Sequence, residues 1–328
     1  MKKDFSGFSE DIQMFLQNKK EMIDIYREMQ DGYMKVLYYS VLPGICLAYN
    51  DIHTTVVPVF AGLSFEDSFI VNYCLEGRCE FHLSDDTYSY IDKGCMSVST
   101  WMVQDSFYYP SGFYQGWEIY VFPNAFTDET RQVLKLFGID FGRLSSLYEK
   151  SLSCITPEPF LSLWNMFLQN REGSMTGNIR LVTLQLLLQL GNRDILHQSS
   201  QTFLTRTQSA LAKKARDILM KDLSRHISAR SIAASLGVSE TSLKNYFRFV
   251  YGMNISTFLN NKRMELAADL LAGSDMNISD IARACGYVNQ GRFAKVFRDF
   301  YHMKPLDYRR SKKIHAETGN IMKLTPHS

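Results

Sequence analysis

The sequence predicts an α+β protein in two parts: an antiparallel β-barrel or sandwich with flanking helices, then an all-α domain. Three observations predict it. Between Val36 and Phe122, short runs rich in Val, Ile, Tyr and Phe are broken by turn pairs such as Pro43-Gly44, Glu76-Gly77, Asp85-Asp86 and Lys93-Gly94. Turn signals about every 8–12 residues are the rhythm of antiparallel strands. From Gln208 onward the apolar spacing is helical throughout. Charge divides at the same place: residues 1–206 hold 16 Lys and Arg against 24 Asp and Glu, and residues 207–328 hold 20 against 10. Such a split points to a basic partner-binding module, suited to DNA or an anionic membrane surface, carried by an acidic one.

The 328 residues are 45% apolar and 21% charged, an ordinary globular composition with material for two cores. The opening MKKDFSGFSED has lysines but no apolar run, so no secretory signal is expected. The longest uncharged stretch, Val36 to Asn50, is interrupted by Pro43-Gly44 and too short to cross a bilayer. Six scattered cysteines read as the reduced thiols of a cytoplasmic protein.

Taken in order, residues 8–35 place Ile12, Phe15, Leu16, Met22, Ile23, Ile25, Tyr26 and Met29 at helical spacing, which predicts one or two surface helices. The β region follows over about 36–125, in segments such as GICLAYNDI, SFIVNYCLEG, CEFHLSDDTYSYIDKG and GWEIYVF. Residues 127–196 read as helices. TDETRQVLKLFG has a Thr cap, acids in its first turn and a Gly stop. NIRLVTLQLLLQLG is apolar nearly all round, as a core helix or a dimer-forming helix would be. Residues 197–207 are polar and hydroxyl-rich, as a linker is; the helical domain spans 208–313, and 314–328 is a tail.

The basic half contains a repeat. Ile232-Ala233 and Gly237 match Ile281-Ala282 and Gly286 at an offset of 49; Phe247, Arg248 and Tyr251 match Phe297, Arg298 and Tyr301 at an offset of 50. The second copy therefore has one more residue in its turn. Each unit has the parts of a helix-turn-helix. A small Ala sits where two helices cross, and four residues later a Gly permits the positive φ that ends the first helix. Ser239 or Asn289 then caps the second helix. Leu243 and Phe247, or Phe293 and Phe297, hold it down.

On these residues, IAASLGVSETSLKNYFRFVYG, KRMELAADLLAGSDMNISDIA and CGYVNQGRFAKVFRDFYHMKPLDYRR, the segment 208–310 resembles the DNA-binding domain of the AraC/XylS family of transcription regulators. Two departures stand out: His302 occupies a position where the family usually has Gly, and Gly291 follows Gln290 where Ser or Thr is common. The resemblance implies two recognition helices entering successive major-groove faces. Two readers on one side of DNA belong about 34 Å apart, one helical turn. By the resemblance, Thr241, Lys244, Asn245, Gln290, Arg292 and Lys295 read bases, and Arg248 and Arg298 touch phosphates. The chemistry suits this: Asn and Gln pair with adenine, Arg and Lys with guanine. The pairs Arg309-Arg310 and Lys312-Lys313 read as a solvated charge run.

The same resemblance, here architectural only, implies that residues 1–196 form a cupin-like effector-sensing and dimerisation domain. Tyr38, Tyr39, Tyr49, Phe60, Phe69, Tyr73, Trp101, Phe107, Tyr108, Tyr109 and Trp117 supply a cavity lining or, for most of them, a core. A metal-dependent cupin needs several His and a carboxylate on one ion, whereas only His53 and His82 lie between residues 36 and 125. No catalytic residue, metal or cofactor is therefore expected, and the protein is not expected to be an enzyme. The expected partners are double-stranded promoter DNA, a small-molecule effector, RNA polymerase and a second copy of the chain, with no membrane; activation is the expected direction of regulation. The competing readings are a cupin-type ligand-binding protein or metalloenzyme with an accessory DNA-binding tail, and an architectural DNA coater without sequence preference.

Overall fold

The computed structural model describes residues 21–58, 68–83, 85–99, 106–148, 153–155, 157–169, 176–191 and 203–312. It divides into two compact units, Met1–Thr207 and Gln208–Ser328.

The first unit is built on an antiparallel sheet. Its strands are β1 (Met22–Met29), β2 (Gly32–Leu42), β3 (Ile45–His53), β4 (Val56–Pro58), β5 (Phe69–His82), β6 (Thr87–Asp92), β7 (Met96–Ser99), β8 (Ser106–Tyr108), β9 (Tyr114–Val121), β10 (Ser153–Ile155) and β11 (Leu204–Thr205). The main path runs β1-β2-β3-β9-β5-β6-β11, β7 joins β5 to β10, and β4 pairs with β8 separately. Among the described residues the path does not close into a barrel. The α+β class is as expected from the sequence; closure is not part of it.

Two corrections follow. Residues 22–35 are a hairpin, not a helix: β1 pairs with β2 from Met22↔Tyr39 to Met29↔Gly32. The β region thus begins at residue 22 rather than about 36. The apolar residues of this stretch fit a period of two as well as one of 3.6, and pairing with a long neighbour decides between them. The helices expected at residues 8–20 lie outside the described residues. SFIVNYCLEG and CEFH, read as separate strands, are one 14-residue strand, β5, with a bulge between Cys74 and Glu76. The bulge bends β5, so that its first half pairs with β7 and its second half with β6.

Alternation sends side chains to two opposed faces. One face packs against α1 (Asp128–Leu136), α2 (Phe141–Leu147), α3 (Leu161–Gln169) and α4 (Thr176–Leu190). Trp164 stacks on Tyr73 at 5.3 Å, Phe167 lies 5.4 Å from Trp117, and Phe69 meets Phe141 and Tyr148 edge-on at 5.4 and 5.8 Å. Tyr39, Tyr49, Phe69, Tyr73 and Trp117 belong to this helix-facing core. Tyr38, Phe107 and Tyr109 pack on the other face, with Cys46, Cys74, Cys79, Tyr114 and Tyr120. Phe60 and Trp101 fall outside the described residues.

Thr127 caps α1 as expected, accepting from the Thr130 amide. The apolar helix α4 is mostly core: Ile179, Val182, Leu184, Leu186, Leu187 and Leu190 are buried, while Leu181 and Leu188 are exposed. The expected linker also ends in regular structure. Leu204 and Thr205 pair with Tyr88 and Thr87, and Arg206 forks onto Asp86 at 2.7–3.0 Å. Arg206, and then His82, hold the exposed Asp86 carboxyl at about 2. Burial pushes the Cys74 thiol up to about 12, which leaves it far from a reactive thiolate. Among the described residues no group of three or more His, Cys, Asp or Glu is placed to hold a metal, and no helix is long and apolar enough to cross a membrane.

The second unit is helical. It comprises α5 (Arg206–Met220), α6 (Ala229–Ser235), α7 (Glu240–Tyr251), α8 (Ile255–Gly273), α9 (Ile278–Ala284), α10 (Gln290–Tyr301) and α11 (305–312). Ile232, Ala233, Leu243 and Phe247 in one pair, and Ile281, Ala282, Phe293 and Phe297 in the other, are all at most 1% exposed. The turns between the paired helices hold four and five residues, 236–239 and 285–289, so the extra residue lies in the second turn.

Gly237 and Gly286 both have positive φ, +70° and +77°, but their surroundings differ. A Cβ at Gly237 meets nothing within 4 Å, whereas one at Gly286 comes 2.6 Å from Arg263 Nη2 and 2.9 Å from the Ser224 carbonyl. Gly237→Ala is therefore expected to cost only the left-handed backbone, about 1–2 kcal/mol. Gly286→Ala adds a clash and should cost about 2–4 kcal/mol. Denaturant unfolding of the two variants side by side checks the order; equal losses would contradict it.

Candidate nucleic-acid interface

Each helix-turn-helix presents its second helix through a polar cap. Ser239 Oγ accepts from the Ser242 amide at 3.0 Å, and Asn289 Oδ1 from the Arg292 amide at 2.8 Å. These bonds satisfy amides that the first helical turn leaves without partners. With Leu243, Phe247, Val250 and Tyr251 buried, α7 turns Thr241, Lys244, Asn245 and Arg248 outward, all exposed. Their i, i+3, i+4, i+7 spacing makes one stripe. Within it Lys244 is paired with Glu240 at 2.6 Å.

With Phe293 and Phe297 buried, α10 exposes Gln290, Gly291, Arg292, Lys295 and Arg298. The offset of 50 aligns Gly291, Lys295 and Arg298 with Thr241, Asn245 and Arg248; Arg292 aligns with Ser242, on the adjoining flank. Gln290, Gly291, Lys295 and Arg298 line a groove that also takes in Lys304 and Arg310. Asp307 is the acid in the same groove, 4.0 Å from Arg310.

Lys304 and Arg310 were not among the residues singled out from sequence. Arg310 sits in a charge run whose members do different things: Arg309 Nη2 donates to the Met276 carbonyl at 2.6 Å, while Arg310 lines the groove. The available signal was spacing, since neighbouring residues on a helix point about 100° apart. His302 takes the left-handed conformation, φ +56°, that Gly252 takes after α7, φ +70°. The second helix-turn-helix thus ends its second helix as the first does, without the glycine.

Comparison with known proteins bears on this same region. A family model described as a helix-turn-helix domain matches residues 232–311. The chain carries an AraC-type helix-turn-helix domain. The chain is similar to YijO of Escherichia coli K12, an uncharacterised HTH-type transcriptional regulator. That match is 31% identical over 118 residues and covers 36% of this chain and 41% of YijO. It is also similar to the HTH-type transcriptional activator RhaR of Yersinia pseudotuberculosis, 46% identical over 70 residues, 21% of this chain and 24% of RhaR. The chain thus spans less than half the length of these curated relatives. Among solved structures, the C-terminal domain of AraT, a response regulator from Geobacillus stearothermophilus, is 30% identical, covers 31% of this chain and 84% of that domain, and has a TM-score of 0.30.

The caps make a direct test of how the AraC-type domain holds its readers. Asn289→Ala and Ser239→Ala should each lower stability by about 1 kcal/mol. Replacement by Asp, which keeps the acceptor, should restore most of it. Thermal unfolding monitored by circular dichroism reads both effects.

Proposed function

We propose that this chain is a sequence-specific, DNA-binding transcription regulator. The observation that carries the reading is the pair of helix-turn-helix units, each presenting an exposed polar stripe from a capped second helix, within a segment of +10 net charge. In this reading Thr241, Lys244, Asn245, Gln290, Arg292 and Lys295 contact base edges. Arg248 and Arg298, joined by Lys304 and Arg310, hold phosphates, which position the readers without specifying sequence. The first unit takes up a small-molecule effector or pairs with a second copy, for which the exposed Leu181 and Leu188 of α4 offer an apolar stripe. RhaR is named an activator, and we take activation, through contact with RNA polymerase at promoter DNA, as the direction of control.

Recovery and sequencing of DNA fragments retained by the purified protein tests the reading: an enriched motif with paired half-sites supports it. An unenriched pool bound with a steep salt dependence would instead indicate a DNA coater. On the selected site, Asn245→Ala and Arg292→Ala should each weaken binding by about 1–3 kcal/mol and relax discrimination against a scrambled duplex. Unchanged discrimination in both would remove them from the base-reading set. Glu240→Gln, which releases Lys244 from its ion pair, should tighten binding to every duplex and steepen the salt dependence; fluorescence anisotropy across a salt series measures it.

A further inference from the structure

On the sheet face away from the helices, three strands bring a row of polar groups into register. Glu118 of β9 lies opposite Asn72 of β5, and Asn72 lies opposite Ser97 of β7. Residues directly opposite on antiparallel strands have their Cβ atoms about 4.5–5.5 Å apart. Around this row the surroundings are apolar or phenolic, with Cys46, Ala48, Ile70, Cys74, Tyr114 and Tyr120 in one packed cluster.

The row is not internally satisfied. Asn72 Nδ2 donates to Glu118 Oε1 at 2.9 Å and to Tyr114 Oη at 2.6 Å. The oxygen of the same amide has no partner, although Asn72 is only 1% exposed. Ser97 Oγ is likewise unpartnered, and Ser97 is also 1% exposed. Buried polar atoms left unpaired each cost about 1–3 kcal/mol, so two on neighbouring strands call for an occupant. Glu118 is ringed by protein yet keeps some accessible surface, unlike Asn72, Ser97 and Tyr114 around it. Among the described residues the side chains that hydrogen-bond to it, Tyr120, Asn72, Asn50 and Tyr114, are all neutral. Burial without a cation raises its carboxyl above the ordinary carboxylate range.

From this arrangement we infer that the Glu118–Asn72–Ser97 row is a binding site for a small primary amine. An ammonium group has three N–H donors and no acceptor. The row offers three acceptors in sequence across the sheet: the Glu118 carboxylate, Asn72 Oδ1 and Ser97 Oγ. The hydroxyls of Tyr114 and Tyr120 already donate to Glu118 and bring no positive charge, so the carboxylate keeps a negative charge for a cation to balance. An anion would meet the carboxylate, and a neutral alcohol would leave its charge uncompensated. The regulatory use of such a ligand rests on the reading of this chain as an effector-controlled regulator; the binding does not.

The test uses the full chain and three matched four-carbon probes, putrescine, butanediol and succinate, with ethylamine as a minimal amine. Thermal unfolding and titration calorimetry should show stabilisation and binding by the two amines and by neither other probe. Glu118→Gln, which keeps the shape and removes the charge, should weaken amine binding about tenfold or more, the loss expected for a charged hydrogen bond. Ser97→Ala should weaken it severalfold and keeps the test available if the first variant does not fold. Absence of amine binding overturns the inference and leaves the unpaired atoms to ordered water; so does amine binding that both variants retain in full. DNA selection on the same preparations is read independently: its failure would remove the regulator reading and leave the amine result standing.

Discussion

A single buried arginine ties the two helix-turn-helix motifs together. Arg263 lies mid-way along α8, the helix joining them, and is 3% exposed. Its Nε donates to the Leu223 carbonyl at 2.8 Å and Nη2 to the Arg225 carbonyl at 3.1 Å, in the segment that leads into the first motif. The same guanidinium fills the space beside Gly286, in the turn of the second motif, and faces the ring of Tyr287 at 5.9 Å. A desolvated cation is tolerated only when its donors are matched, and backbone carbonyls match them here. Because those carbonyls lead into the first motif and the Gly286 turn belongs to the second, the one side chain is packed against both. At about 1.5 Å per residue the 19 residues of α8 extend about 28 Å, which is of the order of one DNA turn.

The first unit follows a different logic. Its sheet separates two environments by strand alternation alone. The helix-facing side is closed by aromatic contacts between Tyr73, Trp117, Trp164 and Phe167. The opposite side mixes thiols, phenols, amides and a carboxyl. The β5 bulge matters here because it keeps the polar row, in the first half of the strand, paired to β7 and β9 while the second half diverges to β6. Core packing and ligand chemistry are thereby assigned to opposite faces, so that a change at Glu118 need not disturb the Trp117 side.

Much of the second unit was legible because its signals are local. A Gly four residues after an Ala, a cap two or three residues later and phenylalanines four apart define a helix-turn-helix without reference to anything distant. The exposure of Thr241, Lys244, Asn245, Gln290, Arg292 and Lys295 follows from the same periodicity. What was not legible depends on distant partners. Residues 22–35 carry apolar spacing that a helix also satisfies, and only β2 makes them a strand. Arg263 reads as one more charge on an amphipathic helix, since nothing nearby in sequence announces two carbonyls forty residues upstream. Asn72 and Ser97 are unremarkable strand residues until register sets them beside Glu118.

The two motifs are alike in skeleton and unlike in detail, and several of the differences fall where the chain meets its surroundings. Leu243 and Phe247 are answered by Phe293 and Phe297, all fully buried. At the turn the second motif has an extra residue, and Val288 there is 99% exposed. At the start of the reading helix it has Gly291 in place of Thr241, and at the end His302 in place of Gly252. Gly291 removes a side chain from the exposed stripe and leaves the backbone open to close approach. His302 accepts a left-handed backbone that costs a non-glycine residue about 1–2 kcal/mol. A groove beside α10 gathers Lys295, Arg298, Lys304 and Arg310. The second motif thus has fewer side chains directed outward from the first turn of its reading helix and more cations gathered along its length. In the proposed function, that distribution suits a helix held strongly to phosphates, beside a first motif whose Thr241, Lys244 and Asn245 would offer more groups to base edges.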